Sequence, residues 1–207
     1  MVRLSVLMLC VITFGCGNEV SEATKKLQDD DPELRRNAAR VLAETTDDTA
    51  RSLPALRRAL SDPDPEVRRQ VAQALGRLGP QAKEAVPELE PLLRDADETV
   101  GLVAAVSLVN IDPQNPAPVA VLAMSAKSGN PRAIVALGQM GPAAADSVPA
   151  LVQVLHSNNS LLQLQALKAL EKIGPSAKPA LPILSQLANG RNEDLREAAR
   201  KAKAAIE

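Results

Sequence analysis

Aromatic side chains are almost absent from this sequence: among 207 residues there is no Trp, no Tyr and one Phe, Phe14. Without them the chain has no platform for stacking exposed bases, no cage for a quaternary cation and none of the large anchors that dominate many interfaces. Thiols are equally scarce. The only cysteines, Cys10 and Cys16, fall in the first sixteen residues, so no disulfide framework or cysteine metal site can organise the rest. A single histidine, His156 in Leu-His-Ser-Asn-Asn, lacks the converging ligands of a metal centre and the fixed partner of a Ser-His-Asp site. It reads as a surface residue at a helix end. Neither sign of charge dominates, with 24 Lys and Arg against 25 Asp and Glu, which argues against a nucleic-acid-binding polycation or an acidic tail. No glycine-rich phosphate loop is present, because most glycines stand where helices would stop. The expectation is a protein with no catalytic residues, no cofactor and no metal.

What is present begins with a leader. Arg3 precedes an uncharged apolar run from Leu4 to Phe14, shorter than the roughly 20 residues that cross a bilayer. The run ends in Thr13-Phe14-Gly15-Cys16, which resembles the lipobox of bacterial lipoproteins except that Thr13 stands where an aliphatic residue is usual. That resemblance implies a signal peptide over 1–15, removed before folding, and a lipid on Cys16. The protein is then tethered to a bacterial membrane and faces the periplasm or the exterior; plain secretion is the alternative. Residues 16–28 read as the tether and an N-terminal capping helix.

The rest repeats. Asp31-Pro32-Glu33-Leu34-Arg35-Arg36 returns 33 residues later as Asp64-Pro65-Glu66-Val67-Arg68-Arg69. Gly79-Pro80 is followed by Asp112-Pro113, Gly141-Pro142 and Gly174-Pro175, in steps of 33, 29 and 33 residues. A fixed period of this size marks a stacked array. Within each unit the spacing is helical: Val67, Val71, Ala74, Leu75 and Leu78 form one apolar stripe at a period of 3.6, matched by Leu34, Ala38, Val41, Leu42 and Thr45 and by Leu162, Ala166, Ala169, Leu170 and Ile173. This first helix of each unit, helix A, is capped by residues such as Asp64 and stopped by Gly-Pro. Helix B follows as Ala-Val-Pro-Glu-Leu-Glu-Pro-Leu-Leu and its counterparts, with Pro91 placed to bend or fray it. A lone helix B is expected over 18–28 and a lone helix A over 193–206, both suited to closing the ends of an array. The short step of 29 removes about one helical turn ahead of Ala133, so the fourth helix A should start near Pro131 and the stack should be weakest there.

These residues resemble a HEAT repeat of the short bacterial kind, similar to the HEAT-like repeats of the phycobiliprotein lyases, over 19–207. The resemblance implies an all-α right-handed superhelix of about five hairpins, with repeats over 29–191 and a capping helix over 192–207. It also implies that helix B lines the inner face, and that an Asp and an Arg recur near the start of helix A. Here these are Asp31 with Arg35 and Asp64 with Arg68. Gly101 and Gln163 replace the Arg in the third and fifth units, so a side-chain ladder would be broken in the middle.

Two surfaces are candidates for function. Arg35, Arg36, Arg40, Arg51, Arg57 and Arg58 could form an electropositive end for anionic headgroups or an acidic partner. The neighbouring Asp29, Asp30, Asp31 and Glu33 favour a mixed solvated face instead. On helix B, the outward position of Glu88 is occupied by Ala55, Val121, Ala150 and Ile183 in the other units, and that of Pro91 by Arg58, Met124, Gln153 and Gln186. A groove running from charged to mildly apolar, with a soft methionine in it, suits adaptable protein packing. The alternative is that the phase is off by one position and the residues of both rows are core. The function expected is therefore a non-catalytic scaffold that presents helix B to another protein and binds no nucleic acid. The rival is a lyase or enzyme subunit of the phycobiliprotein lyase type, which would act in the cytoplasm and place aromatic or charged residues in the groove.

Overall fold

The structure is a computed structural model and describes residues 16–44 and 49–207. Residues 1–15, expected to be a signal peptide and containing Cys10, lie outside the described residues, as does Thr45 of the first stripe. Among the described residues every regular element is helical. The capping element α1 (Cys16–Lys26) precedes the first hairpin, α2 (Pro32–Glu44) and α3 (Thr49–Ala59). The second pairs α4 (Pro65–Leu78) with the short α5 (Val86–Leu89), and the third pairs α6 (Glu98–Ile111) with α7 (Val119–Lys127). Then come α8 (Pro131–Met140) with α9 (Val148–Leu155), α10 (Ser160–Ile173) with α11 (Leu181–Leu187), and the closing α12 (Glu193–Ile206). Each outer helix, from α2 to α12 by even numbers, stacks on the next, while α1 and the odd-numbered helices form the second layer against it. The result is the expected all-α solenoid of five hairpins between two caps.

The apolar stripes explain the stacking. Val67, Val71, Ala74, Leu75 and Leu78 are all buried, as are Ala166, Ala169, Leu170 and Ile173, and the burial of such side chains contributes roughly 1.5–3 kcal/mol each for the larger ones. Leu34, at the thin N-terminal end, stays exposed. Because aromatics are missing, packing relies on small residues and close approach. At Gly76 a Cβ would sit 2.9 Å from the Ser107 Cα and 2.5 Å from its Oγ, and at the equivalent Gly138 a Cβ would sit 3.1 Å from the Ala169 Cα. These glycines let α4 meet α6 and α8 meet α10 at short distance.

Turn chemistry repeats with the same economy. Gly79, Gly141 and Gly174 end their helices at φ of +56°, +57° and +67°, a region that glycine reaches without strain. The proline that follows each opens a 3₁₀ segment, Gly79–Ala85, Gly141–Ser147 and Gly174–Ala180. The third unit differs. Asp112, matched by sequence to these stops, is extended at φ −145°, and the chain reaches α7 through irregular turns. A non-glycine residue does not take the positive φ, so this unit loses the tight corner. Pro91 acts as expected: α5 ends at Leu89 and a 3₁₀ segment, Glu90–Arg94, completes that helix B.

The shortened step is borne out. Helix α8 has 10 residues where α4, α6 and α10 have 14, and Asn130 caps it by accepting the Arg132 N–H. Contact between α6 and α8 is the smallest between consecutive outer helices. The core also divides here: one cluster runs from Val20 to Ile111 and the other from Ala105 to Ile206, meeting on opposite sides of α6.

Candidate functional site

The two rows predicted on helix B separate in the structure. Arg58, Met124, Gln153 and Gln186 are exposed, with Met124 at 70 % the most exposed large apolar side chain among the described residues. Their counterpart Pro91 is exposed too. The Glu88 row is corrected. Ala150 is 2 % exposed and belongs to the core, as does Ala55. Val121 and Ile183 are partly buried against the C-terminal core cluster. Glu88 is occupied within the fold: Arg57 donates to its Oε1 through Nε at 3.2 Å and Nη2 at 2.6 Å. Those hydrogen bonds hold the Glu88 carboxyl below the usual carboxylate range. The physical reason is the angle round helix B: at about 100° per residue the Glu88 place stands about 100° from the buried Leu89, at the flank of the stripe, whereas the Pro91 place stands about 160° from it, on the open side.

Sequence reasoning did not single out a second exposed row, one turn earlier on the same face: Pro54, Pro87, Ala120, Pro149 and Pro182. Its signal was available, since the Pro recurs in Ser-Leu-Pro, Ala-Val-Pro, Ser-Val-Pro and Ala-Leu-Pro. Residues four apart lie together on a helix surface, so the two rows make one strip across the helix B layer.

Within the arginine cluster the side chain of Arg51 lies outside the described residues, and of the others all but Arg58 are paired. Arg35 donates through Nε and Nη2 to the two carboxylate oxygens of Asp62 at 2.7 and 3.1 Å. Arg36 reaches Asp64 at 2.7 Å and Glu33 at 2.7 Å, Arg40 pairs with Glu44, and Arg57 with Glu84 and Glu88. Arg58 makes no ion pair among the described residues. The ladder forms with other carboxylates than the expected Asp31 and Asp64: Arg35 reaches Asp62, and Arg68 reaches Asp95 at 2.7 Å for both bonds. Asp62 and Asp95 also accept the N–H of the capping residues Asp64 and Asp97. Hydrogen bonds from Arg36 and from Arg68 hold the carboxyls of Asp64 and Asp95 below their ordinary range. Farther along both partners vanish together. Gly101 faces no Asp, because Ser128 fills the matching place, and Gln163 donates instead to the Leu155 and Ser157 carbonyls at 2.8 Å each. Helix caps follow the same division: Asp31, Asp64 and Asp97 first, then Asn130, Asn159 and Asn192.

His156 is exposed at the end of α9. Among the described residues no group of three or more His, Cys, Asp and Glu side chains could hold a metal ion, and no helix is long and apolar enough to cross a membrane. On the outer layer, an open depression of about 400 Å³ lies between α8 and α10, floored by Ile134, Val135, Gly138 and Ala169.

Stacked helical hairpins, glycine-proline corners and a core between two helical layers define a helical-repeat solenoid. The chain belongs to the HEAT repeats family, which it matches over residues 20–109 and 129–204. The unmatched interval, 110–128, holds the irregular corner and α7. No protein of curated function matches the sequence. Among solved structures, an engineered protein is similar at 26 % identity with a TM-score of 0.73, covering 91 % of this chain and 96 % of that one. The CpcE–CpcF complex of phycocyanin lyase from Nostoc sp. PCC7120 is similar at 25 % identity with a TM-score of 0.61, covering 90 % of this chain and 76 % of that one. A designed armadillo repeat protein in complex with the peptide (KR)4 shares the fold, at 19 % identity and a TM-score of 0.72 over 91 % of this chain and all of that one.

Proposed function

We propose that the protein is a non-catalytic scaffold that presents its helix B strip to another protein, held at a bacterial membrane through a lipid on Cys16. The observation that carries this reading is the continuous row of exposed side chains on successive helices B, Arg58, Met124, Gln153 and Gln186, with the prolines one turn earlier. A row of exposed side chains contributed by successive units of an array suits a partner site. The HEAT repeat fold is consistent with such a role, since it displays an extended surface built from neighbouring units. The tether rests on the leader and on the Gly15-Cys16 sequence; Cys16 opens α1, next to the first hairpin. The cell envelope is the proposed location.

The similarity to the phycocyanin lyase complex favours a second reading, a lyase or enzyme subunit. Against it stand the helix B faces of the last three units, which lack aromatic and acidic residues. The deciding experiment compares wild type with Met124→Glu as bait in envelope extracts, with mass spectrometry of what is retained. A partner lost specifically with Met124→Glu supports the scaffold. Equal retention by both baits, or chromophore attachment activity in the purified protein, refutes it.

A further inference from the structure

The outer layer changes character in the middle of the array. On α4 the outward places hold Glu66, Arg69, Gln70, Gln73 and Arg77, and 33 residues later on α6 they hold Thr99, Leu102, Val103, Val106 and Asn110. Leu102, Val103 and Val106 are partly exposed, and α6 carries one charged residue, Glu98, at its first position. The aliphatic surface continues through Val135 on α8, 45 % exposed, to Leu161 at the start of α10, 64 % exposed. A helix that is apolar on its outward as well as its inward side is ordinarily covered on both. Among the described residues no element lies over this face.

Cations on the same face lack partners. At the outward places of α2, α4 and α12 they are held within the protein: Arg36 pairs with Glu33 and Asp64, Arg40 with Glu44, Arg69 with Glu66 and Lys201 with Glu197, and Arg77 donates to the Ala43 carbonyl. Arg132 on α8 and Lys168 and Lys172 on α10 are exposed, and their side chains make no ion pair or hydrogen bond among the described residues. Lys168 and Lys172 stand one turn apart beside the open depression between α8 and α10. Two carboxylates lie at the margins, Glu98 at the edge of α6 and Glu171, which lines the depression and, after Glu197, favours the charged form of Lys201 on α12. Cations remain in excess, and no acidic residue occupies an outward place of α6, α8 or α10.

We propose that this outer face lies on an anionic phospholipid surface, with Leu102, Val106, Val135 and Leu161 at the boundary of headgroups and acyl chains and Arg132, Lys168 and Lys172 on the lipid phosphates. Such a surface accommodates both kinds of side chain: the aliphatics leave water, while the Lys stems lie along apolar surface and their ammonium groups reach phosphate. A second copy of the chain is a poor occupant, because an isologous contact sets the three cations against themselves. A folded partner binds through buried anchors in pockets, whereas these aliphatics are spread over three helices with one open depression between them. The inference goes beyond the scaffold reading and needs no lipid on Cys16. It leaves the helix B strip, on the opposite layer, turned away from the membrane.

The test uses the full chain with Cys10→Ser and Cys16→Ser, which removes the site of the proposed tether. One cysteine is then introduced, as Val135→Cys or, on the opposite layer, as Met124→Cys, and labelled with an environment-sensitive dye. The probes are vesicles of phosphatidylglycerol and phosphatidylcholine in equal parts, vesicles of phosphatidylcholine alone, inorganic phosphate, and an acidic peptide alternating Leu and Glu. The anionic vesicles shift the dye at 135 to the blue and leave that at 124 unmoved; phosphatidylcholine alone gives no shift, and added salt reverses the response. Each cation near such a surface strengthens binding about fivefold, so Lys168→Glu with Lys172→Glu weakens it more than about tenfold. Both substitutions change exposed residues and circular dichroism verifies the fold, while the comparison of 135 with 124 stands without them. An equal shift on phosphatidylcholine, an equal shift at 124, or unchanged binding by the charge-reversed variant overturns the proposal. So does a tighter response to the acidic peptide, which would make the occupant a protein, a response of the same size to inorganic phosphate, or a shift that grows with protein concentration without vesicles, which would make it a second copy.

Discussion

Acid should unzip this array from one end. The capping and bridging carboxylates are concentrated in the first half, where Asp64 accepts the Glu66 N–H and the Arg36 guanidinium, and Asp95 accepts the two-pronged bond from Arg68. Both carboxyls are held below their ordinary range, so their contribution is complete above the unfolded value of about 4 and is lost as pH falls through the folded values. A side-chain cap contributes about 1 kcal/mol, and a charge-assisted pair whose carboxylate side chain is 5 % exposed about 2 kcal/mol. Protonation removes the carboxylate charge and leaves hydrogen bonds of roughly half the strength, so the loss is on the order of 1.5 kcal/mol, a roughly tenfold rise in opening. The second half is capped by Asn130, Asn159 and Asn192, whose amides do not titrate. Hydrogen exchange between pH 7 and pH 3, corrected for intrinsic rates, should therefore show protection falling in 20–109 and holding in 129–204. Equal loss in both halves, or greater loss in the second, would refute this account of the caps and rungs.

Three further outcomes are expected. Gly76→Ala should destabilise by about 1–2 kcal/mol in urea melts, because overpacking against the Ser107 backbone outweighs the helix propensity gained; Gly138→Ala, with more room, should be close to neutral, and the reverse order would contradict the crossing geometry. Amides in 115–136 should exchange faster than those in 64–93, since the shortened α8 leaves the smallest outer-helix contact and arrays open at their weakest interface; uniform protection would remove the hinge. Cys16→Ser should end labelling with a clickable fatty acid and release the protein from membranes, and unchanged labelling would remove the lipid anchor.

The solenoid was legible because its signals are local and repeated. The stripe from Val67 to Leu78 fixes helix A, Gly174-Pro175 fixes a corner, and the lone helix expected over 193–206 is α12 itself. The four-residue deletion could be read as one lost turn because a turn is close to four residues. Where the reading failed, the cause was a place at the flank of a stripe or a change of backbone region. Ala55 and Ala150 stand about 100° round the helix from the buried Leu56 and Leu151, at the flank of the stripe, and their small side chains are covered there. Asp112 could not reproduce a corner that depends on positive φ. The arginines were legible as pairs in composition, whereas their partners, 27 or 28 residues away in sequence for Arg35, Arg36 and Arg68, are set by the stacking itself. The face was half legible: Met124, Gln153 and Gln186 were found and the proline row beside them was passed over.

The central claim, that the helix B strip meets another protein, is tested most directly by site-specific photo-crosslinking in intact cells. A benzophenone amino acid would be placed at Met124 or Gln153 on the strip, and at Val135 or Lys168 on the opposite layer. The account predicts covalent adducts to a discrete partner from the first two positions and none from the second two. Adducts from Val135 and Lys168 with none from Met124 and Gln153 would contradict it.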